Sequence, residues 1–208
     1  MLTPRSRGFT IIELMMGLML LGVLLVLAFP SFTQILHNMK LRTSAESILA
    51  GLQAARAEAL KRNQSVEFLL TASAIVPADN ATFAANTSGP GWAVRIVPAE
   101  CTAPSPEDCF IAGRAGLEGS NQADETALSV TIAGSSMPPT TSIRFDALGR
   151  SNVTAPAGAL IEVKNPTGGT CRALGGEMRC LNVVVTASGR IRMCDPSVTA
   201  APGETRAC

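Results

Sequence analysis

The sequence predicts an α+β protein in which one long N-terminal helix lies against an antiparallel β-sheet head. Three observations carry that expectation. From Phe9 to Phe29 the chain is apolar or glycine except at Thr10 and Glu13. Behind that run, Leu41, Ala45, Ile48, Leu52, Ala55 and Ala59 recur at alternating steps of four and three, which is one face of a helix. The remaining chain breaks into short alternating runs bounded by Gly, Pro, Asn and Ser, the pattern of strands and turns. A helical stripe and a set of half-buried strands satisfy each other as two packed layers.

The apolar run comes first. The chain has 208 residues, 47% of them hydrophobic, enough for one domain plus an anchor. Arg5 and Arg7 precede the run with no acidic residue beside them, which keeps the first residues on the cytoplasmic side. Lys40 and Arg42 beyond it blur that asymmetry. A cleaved secretory signal fits poorly, because the run exceeds an ordinary signal core and no A-x-A-like site ends it. A plain uncleaved anchor leaves Glu13 unexplained. An ionisable group well inside a span costs about 2.5–3.5 kcal/mol on insertion scales and marks a functional position. Near the start of the span its carboxylate can snorkel to the interface. That accounts for its tolerance, not its purpose.

The stem and strands follow. One helix from about residue 10 to 62 would measure roughly 80 Å at 1.5 Å per residue. Pro30 removes a backbone hydrogen bond and predicts a kink. Glu58 stands four residues before Arg62 in the favourable order, and Asn63 is the expected terminator. Strands are expected at 65–70, 91–97, 128–132, 141–147, 159–163 and 181–194, the last being a hairpin about a Ser-Gly turn. Residues 145–153 resemble a second hairpin tip, while 72–90 and 98–127 read as loops. Trp92 is expected in the sheet's core.

Charge and cysteine content narrow the function. Residues 1–63 carry +4, 64–163 carry −6 and 164–208 carry +3, so the C-terminal segment is the basic part of the head. Cys101, Cys109, Cys171, Cys180, Cys194 and Cys208 form no C-x-x-C pair, and the single His37 is remote, so neither metal binding nor a cofactor is expected. An even number beyond a hydrophobic anchor points to disulfides in an oxidising compartment. Six cysteines permit fifteen pairings. Short loops favour 101–109, 171–180 and 194–208. A loop of about 15 residues closed in this way stabilises by roughly 3 kcal/mol. With no histidine in the head there is no base for a Ser or Cys nucleophile, and no phosphate-binding loop is present, so no catalytic residue is assigned.

The stretch "RGFTIIEL" resembles the processing site of type IV prepilins and type II secretion pseudopilins. The resemblance implies cleavage by a prepilin peptidase between Gly8 and Phe9, with Phe9 then methylated as the new N-terminus. Glu13 becomes the fifth mature residue, an assembly residue whose carboxylate meets the amine of a neighbouring subunit. Gly22 and Pro30 sit where that family loosens its helix. The implied layout is a leader over 1–8, a transmembrane and filament-core helix over 9–36, its amphipathic second half over 37–63, and a disulfide-containing head over 64–208. The implied partners are other pilin or pseudopilin subunits, the peptidase and the bacterial inner membrane, with the head in the periplasm before fibre entry. More narrowly, the helix end running into a strand, the "IRFDALGR" turn and the terminal hairpin resemble the GspH/FimT minor subunits, with the pilin fold this implies.

Within that hairpin, "SGRIRMC" places Arg190 and Arg192 on one strand face about 6.6 Å apart. Paired guanidiniums suit phosphate contacts. The FimT-like minor pilins of natural transformation carry a similar Gly-Arg-x-Arg motif that contacts DNA, which here falls on Gly189, Arg190 and Arg192. Arg206 is expected to join them through a 194–208 disulfide. The bland alternative is two solvated arginines on a hairpin. Four functions follow: a minor pilin of a type IV pilus, at or near the tip to start or stabilise the fibre, the corresponding type II secretion pseudopilin, that pilus subunit with weak, sequence-independent DNA binding added, and an uncleaved membrane-tethered binding protein.

Overall fold

The computed structural model describes residues 8–71, 89, 91–115, 129–134, 142–153, 158–165, 169–201 and 203–208; for 27–31, 106 and 129–134 it describes the backbone alone. The expected leader thus lies outside the described residues except for Gly8, as do most of 72–90 and 116–127. The chain divides into two compact units, Met1–Leu36 and His37–Cys208.

Helix α1 runs Ile11–Arg62, through Pro30. Its stop is built from sequence-local chemistry. Asn63 takes the left-handed conformation at φ 52, and the Gln64 N–H donates back to the Ala59 carbonyl at 3.3 Å. This six-to-one closure satisfies one of the helix's orphan carbonyls. Glu58 receives Arg62 at 2.6 Å and Lys61 at 3.1 Å across the last turn.

The described strands are β1 (Val66–Thr71), β2 (Gly91–Ile96), β3 (Phe110–Arg114), β4 (Ser129–Gly134), β5 (Ser142–Phe145), β6 (Ala159–Lys164), β7 (Leu181–Val185) and β8 (Ile191–Cys194). Seven of them coincide with expected strands to within about two residues. The eighth, β3, falls inside the segment read as loop. "FIAGR" carries a glycine and follows a Pro-Glu-Asp turn, so its local pattern reads as connection. It becomes a strand by pairing antiparallel with β2, across a register shift at Val94/Arg95. The β-structure divides into two four-stranded antiparallel sheets, ordered β3-β2-β1-β5 and β4-β6-β7-β8.

Both sheets share one core with the helix. Leu41, Ala45, Ile48, Leu52, Ala55 and Ala59, the stripe read from the sequence, are all buried against Phe68 and Leu70 of β1, Ile143 and Phe145 of β5, and Ile161, Val163, Val183 and Val185 of β6 and β7. Trp92 stacks on Phe68 with centroids 5.8 Å apart. Its indole N–H donates to Ser47 Oγ at 2.9 Å. It is half-buried rather than central. Gly51 lets the helix approach this aromatic pair, since a Cβ there would lie 2.9 Å from Phe68 and 3.0 Å from Trp92.

Disulfides join Cys101–Cys109, Cys171–Cys180 and Cys194–Cys208. All six cysteines are used, each with its neighbour in sequence. The first closes the β2–β3 connection, the second lies between β6 and β7, and the third ties the C-terminus to the end of β8.

Candidate functional site

Two regions bear on function, one at each end of the chain. At the N-terminus, the Gly8–Phe9 peptide lies ahead of α1, and Phe9 is 83% exposed. Thr10 caps the helix: its hydroxyl accepts the Glu13 N–H at 3.4 Å and its carbonyl accepts the Leu14 N–H at 3.2 Å. Glu13 therefore sits in the first turn, where the helix dipole favours a carboxylate. It stands among exposed apolar side chains from Phe9 to Val26. A Cβ at Gly17 or Gly22 would meet nothing within 4 Å, so neither glycine is used for packing within the chain. Among the described residues, no helix is long and apolar enough to cross a membrane.

The C-terminal hairpin is built differently from the sequence expectation. β8 begins at Ile191, so Arg190 belongs to the turn and not to the strand. In that turn the Thr186 N–H donates to the Arg190 carbonyl at 3.0 Å and the Gly189 N–H to the Thr186 carbonyl at 2.8 Å. The Arg190 N–H donates to Thr186 Oγ1 at 3.2 Å. The turn after β5 repeats this design. Asp146 N–H donates to the Arg150 carbonyl at 2.9 Å, Gly149 N–H to the Asp146 carbonyl at 2.8 Å, and Arg150 N–H to Asp146 Oδ1 at 2.8 Å. "DALGR" and "TASGR" are thus twin turns, each with a left-handed glycine, at φ 72 and φ 76.

The twins dock on each other. Ser151 donates its N–H to the Ala187 carbonyl at 3.0 Å and its hydroxyl to the Thr186 carbonyl at 2.8 Å. Gly189 lies so close to Gly149 that a Cβ would sit 1.9 Å from the Gly149 carbonyl oxygen. Arg56 of α1 donates to that same oxygen at 3.1 Å. One turn from each sheet and the end of the stem meet at one point. Gly189 is therefore required by packing.

Arg192 and Arg206 have partners of their own. Arg192 donates to the Ala207 carbonyl at 2.7 Å and to the Cys208 carbonyl at 3.4 Å, holding the C-terminal tail. Arg206 grips Glu204 through two hydrogen bonds, at 3.0 and 2.9 Å. Those bonds hold the Glu204 carboxyl down at about 2. Arg206 belongs to the tail that Cys194–Cys208 fastens at one end of β8, whereas Arg190 precedes the other end. Arg190 and Arg150 follow the two docked glycines in sequence, with Arg150 paired to Asp146 at 2.8 Å and Arg56 donating to the Gly149 carbonyl.

A buried ionic group escaped the sequence reading altogether. Glu67 on β1 pairs in register with Arg95 on β2 and Arg144 on β5. Its carboxylate accepts Arg95 Nε at 2.7 Å, Ser142 Oγ at 3.2 Å and Arg144 Nε at 3.2 Å. Glu67 is 2% exposed and Arg95 6%. Alternation within "VEFLLT" and "GWAVRI" reads both as outward-facing charges; nothing local says that the outer sheet face is covered. Among the described residues, no group of three or more His, Cys, Asp or Glu can hold a metal.

Comparison with known proteins matches the N-terminal segment and most of the head. A model described as "Prokaryotic N-terminal methylation motif" matches residues 3–29. A model described as "Type II transport protein GspH" matches residues 44–189. No curated protein matches the chain. Two crystal structures of the Pseudomonas aeruginosa type IV minor pilin FimU are similar. One has 15% identity and a TM-score of 0.48, covering 74% of this chain and 87% of that one. The other has 16% identity and a TM-score of 0.46, covering 74% and 91%. With the GspH model matched over more than half of its length and a methylation motif ahead of it, the chain belongs to the GspH family of pilin-like minor subunits, which are structural proteins and not enzymes.

Proposed function

We propose that the chain is a minor pilin or pseudopilin whose mature N-terminus is Phe9 and whose Glu13 pairs with the α-amino group of an adjacent subunit in a fibre. The observation that carries this reading is Glu13 itself, an exposed carboxylate in the first helical turn, surrounded by exposed apolar side chains. Such a surface needs a non-aqueous partner. The inner membrane supplies it first, with residues 9–36 as anchor and the head in the periplasm, and neighbouring stems supply it after assembly. An unpaired charge in that layer is penalised and a paired one much less so, which gives assembly its register. Prepilin peptidase cleavage after Gly8 creates the partner amine. Glu13→Ala is expected to remain membrane-inserted and processed but to be depleted from the sheared fibre fraction. Equal incorporation would remove the role of Glu13. A mature protein whose mass still includes residues 1–8 would remove the fibre reading as a whole.

A second reading, DNA contact, is favoured by Arg190 and Arg150, which directly follow the two glycines in contact, and by Arg56, which donates to the Gly149 carbonyl. Arg190 is exposed, and the Arg56 guanidinium would lie 3.2 Å from a Cβ at Gly189. Binding through these groups is weak, independent of sequence and strongly reduced by salt. In a gel shift Arg190→Gln is expected to weaken it and Arg192→Gln to leave it unchanged. Wild-type binding by Arg190→Gln would eliminate the reading.

A further inference from the structure

Between β6 and β7, residues 171–180 form a closed loop whose tip has no use inside the head. The Cys171–Cys180 disulfide closes it. Inside, the Arg172 N–H donates to the Met178 carbonyl at 2.7 Å, the Leu174 N–H to the Cys171 carbonyl at 2.8 Å and the Met178 N–H to the Thr170 carbonyl at 3.2 Å. Met178 and both cysteines are buried. Yet Leu174 at its tip is 74% exposed, the most exposed large apolar side chain of the head among the described residues. Arg172 and Arg179, both exposed, flank it. A loop fixed by a disulfide and by its own backbone, with leucine outward, gains nothing for folding from that leucine.

Its position is informative. Asn165, directly after β6, places Nδ2 3.1 Å from His37 Nδ1. The Arg179 N–H donates to Asn38 Oδ1 at 3.1 Å. The loop is therefore fastened through Arg179 to Asn38, the second residue of the head unit, which begins at His37. Asn38 is two residues from Leu36, so no more than about 7 Å of extended chain separates them. Exposed apolar side chains continue along the stem through Phe32, Ile35, Leu36 and Met39. The other exposed leucines of the head, Leu60 and Leu148, lie at the twin-turn end.

We infer that the Cys171–Cys180 loop is a lipid contact, with Leu174 entering the headgroup–acyl boundary and Arg172 facing the phosphates of anionic phospholipids, while Arg179 pairs with Asp195 at 3.6 Å. Apolar insertion and cationic attraction act together in such contacts. The inference rests on the reading of residues 9–36 as a membrane anchor, because it is the anchor that confines this end of the head to the interface.

The test uses the full chain in vesicles of phosphatidylethanolamine and phosphatidylglycerol, with acyl chains brominated or not. Leu174→Trp adds one indole at the loop, Leu148→Trp adds one at the twin turns, and the unaltered chain gives the Trp92 baseline. The expected result is that bromination lowers the added emission of Leu174→Trp and leaves that of Leu148→Trp unchanged. Combining Arg172→Gln with Leu174→Trp is expected to weaken the loss. Flotation with the vesicles reports the anchor separately. A chain that floats while Leu174→Trp is quenched no more than Leu148→Trp overturns the loop contact and leaves the anchor standing. A chain that does not float overturns both.

Discussion

Replacing Gly189 with alanine is expected to lower the melting temperature of the head by roughly 6–12 °C, the shift that about 3 kcal/mol produces in a protein of this size. Three costs add to that figure. A side chain in the left-handed region costs about 1–2 kcal/mol, and Gly189 sits there at φ 76. The added Cβ would overlap the Gly149 carbonyl oxygen at 1.9 Å, a backbone atom with no flexible end to swing aside. Moving that oxygen also disturbs the Arg56 hydrogen bond it accepts, and bonds of this kind contribute about 0.5–1.5 kcal/mol each. Arg190→Gln changes an exposed side chain in the same turn, and such substitutions stay within about 0.5 kcal/mol. Circular dichroism melts of the two variants in detergent therefore separate a structural glycine from a ligand-binding arginine. Equal melting by wild type and Gly189→Ala would mean that the twin turns are not locked together.

That pair of variants also shows what local sequence can and cannot reveal. The helix stripe from Leu41 to Ala59 is legible because a 3.6-residue period carries through all six of its members, and all six side chains are buried. The glycines of "DALGR" and "TASGR" are legible as turns, since each follows an alternating run. That the turns touch is not legible, because the contact joins residues about 40 apart through backbone atoms that carry no sequence signature. Arg192 illustrates the same limit. Its spacing from Arg190 suggests a shared strand face, but the C-terminal carbonyls that engage it are placed by a disulfide whose pairing is one of fifteen. At the N-terminus the position of Glu13 is read directly, whereas Thr10 as its helix cap emerges only with the helix start. Local periodicity carries information; distant coincidence does not.

Glu67 is where that distinction has its largest energetic consequence, and Glu67→Ala is expected to destabilise the head by about 3–5 kcal/mol. Its carboxylate lies between two cationic strands, with Arg95 almost fully buried beside it. Removing the carboxylate takes from a desolvated guanidinium the oxygen it donates to at 2.7 Å and from Ser142 the acceptor at 3.2 Å, while the cost of holding Arg95 out of water persists. Arg144 is half exposed and recovers solvation, so it adds little to the loss. The pair is not thereby a large net source of stability, because desolvating two charges offsets most of their attraction. Glu67→Leu combined with Arg95→Met keeps similar volume and removes both charges, and it is expected to melt close to wild type. A denaturant series on the single and double variants checks the sign of the coupling. If the double variant were as unstable as Glu67→Ala, the charges would be contributing more than mutual compensation. The buried pair would then be a true stabilising contact rather than a register mark that aligns β1 with β2 and β5.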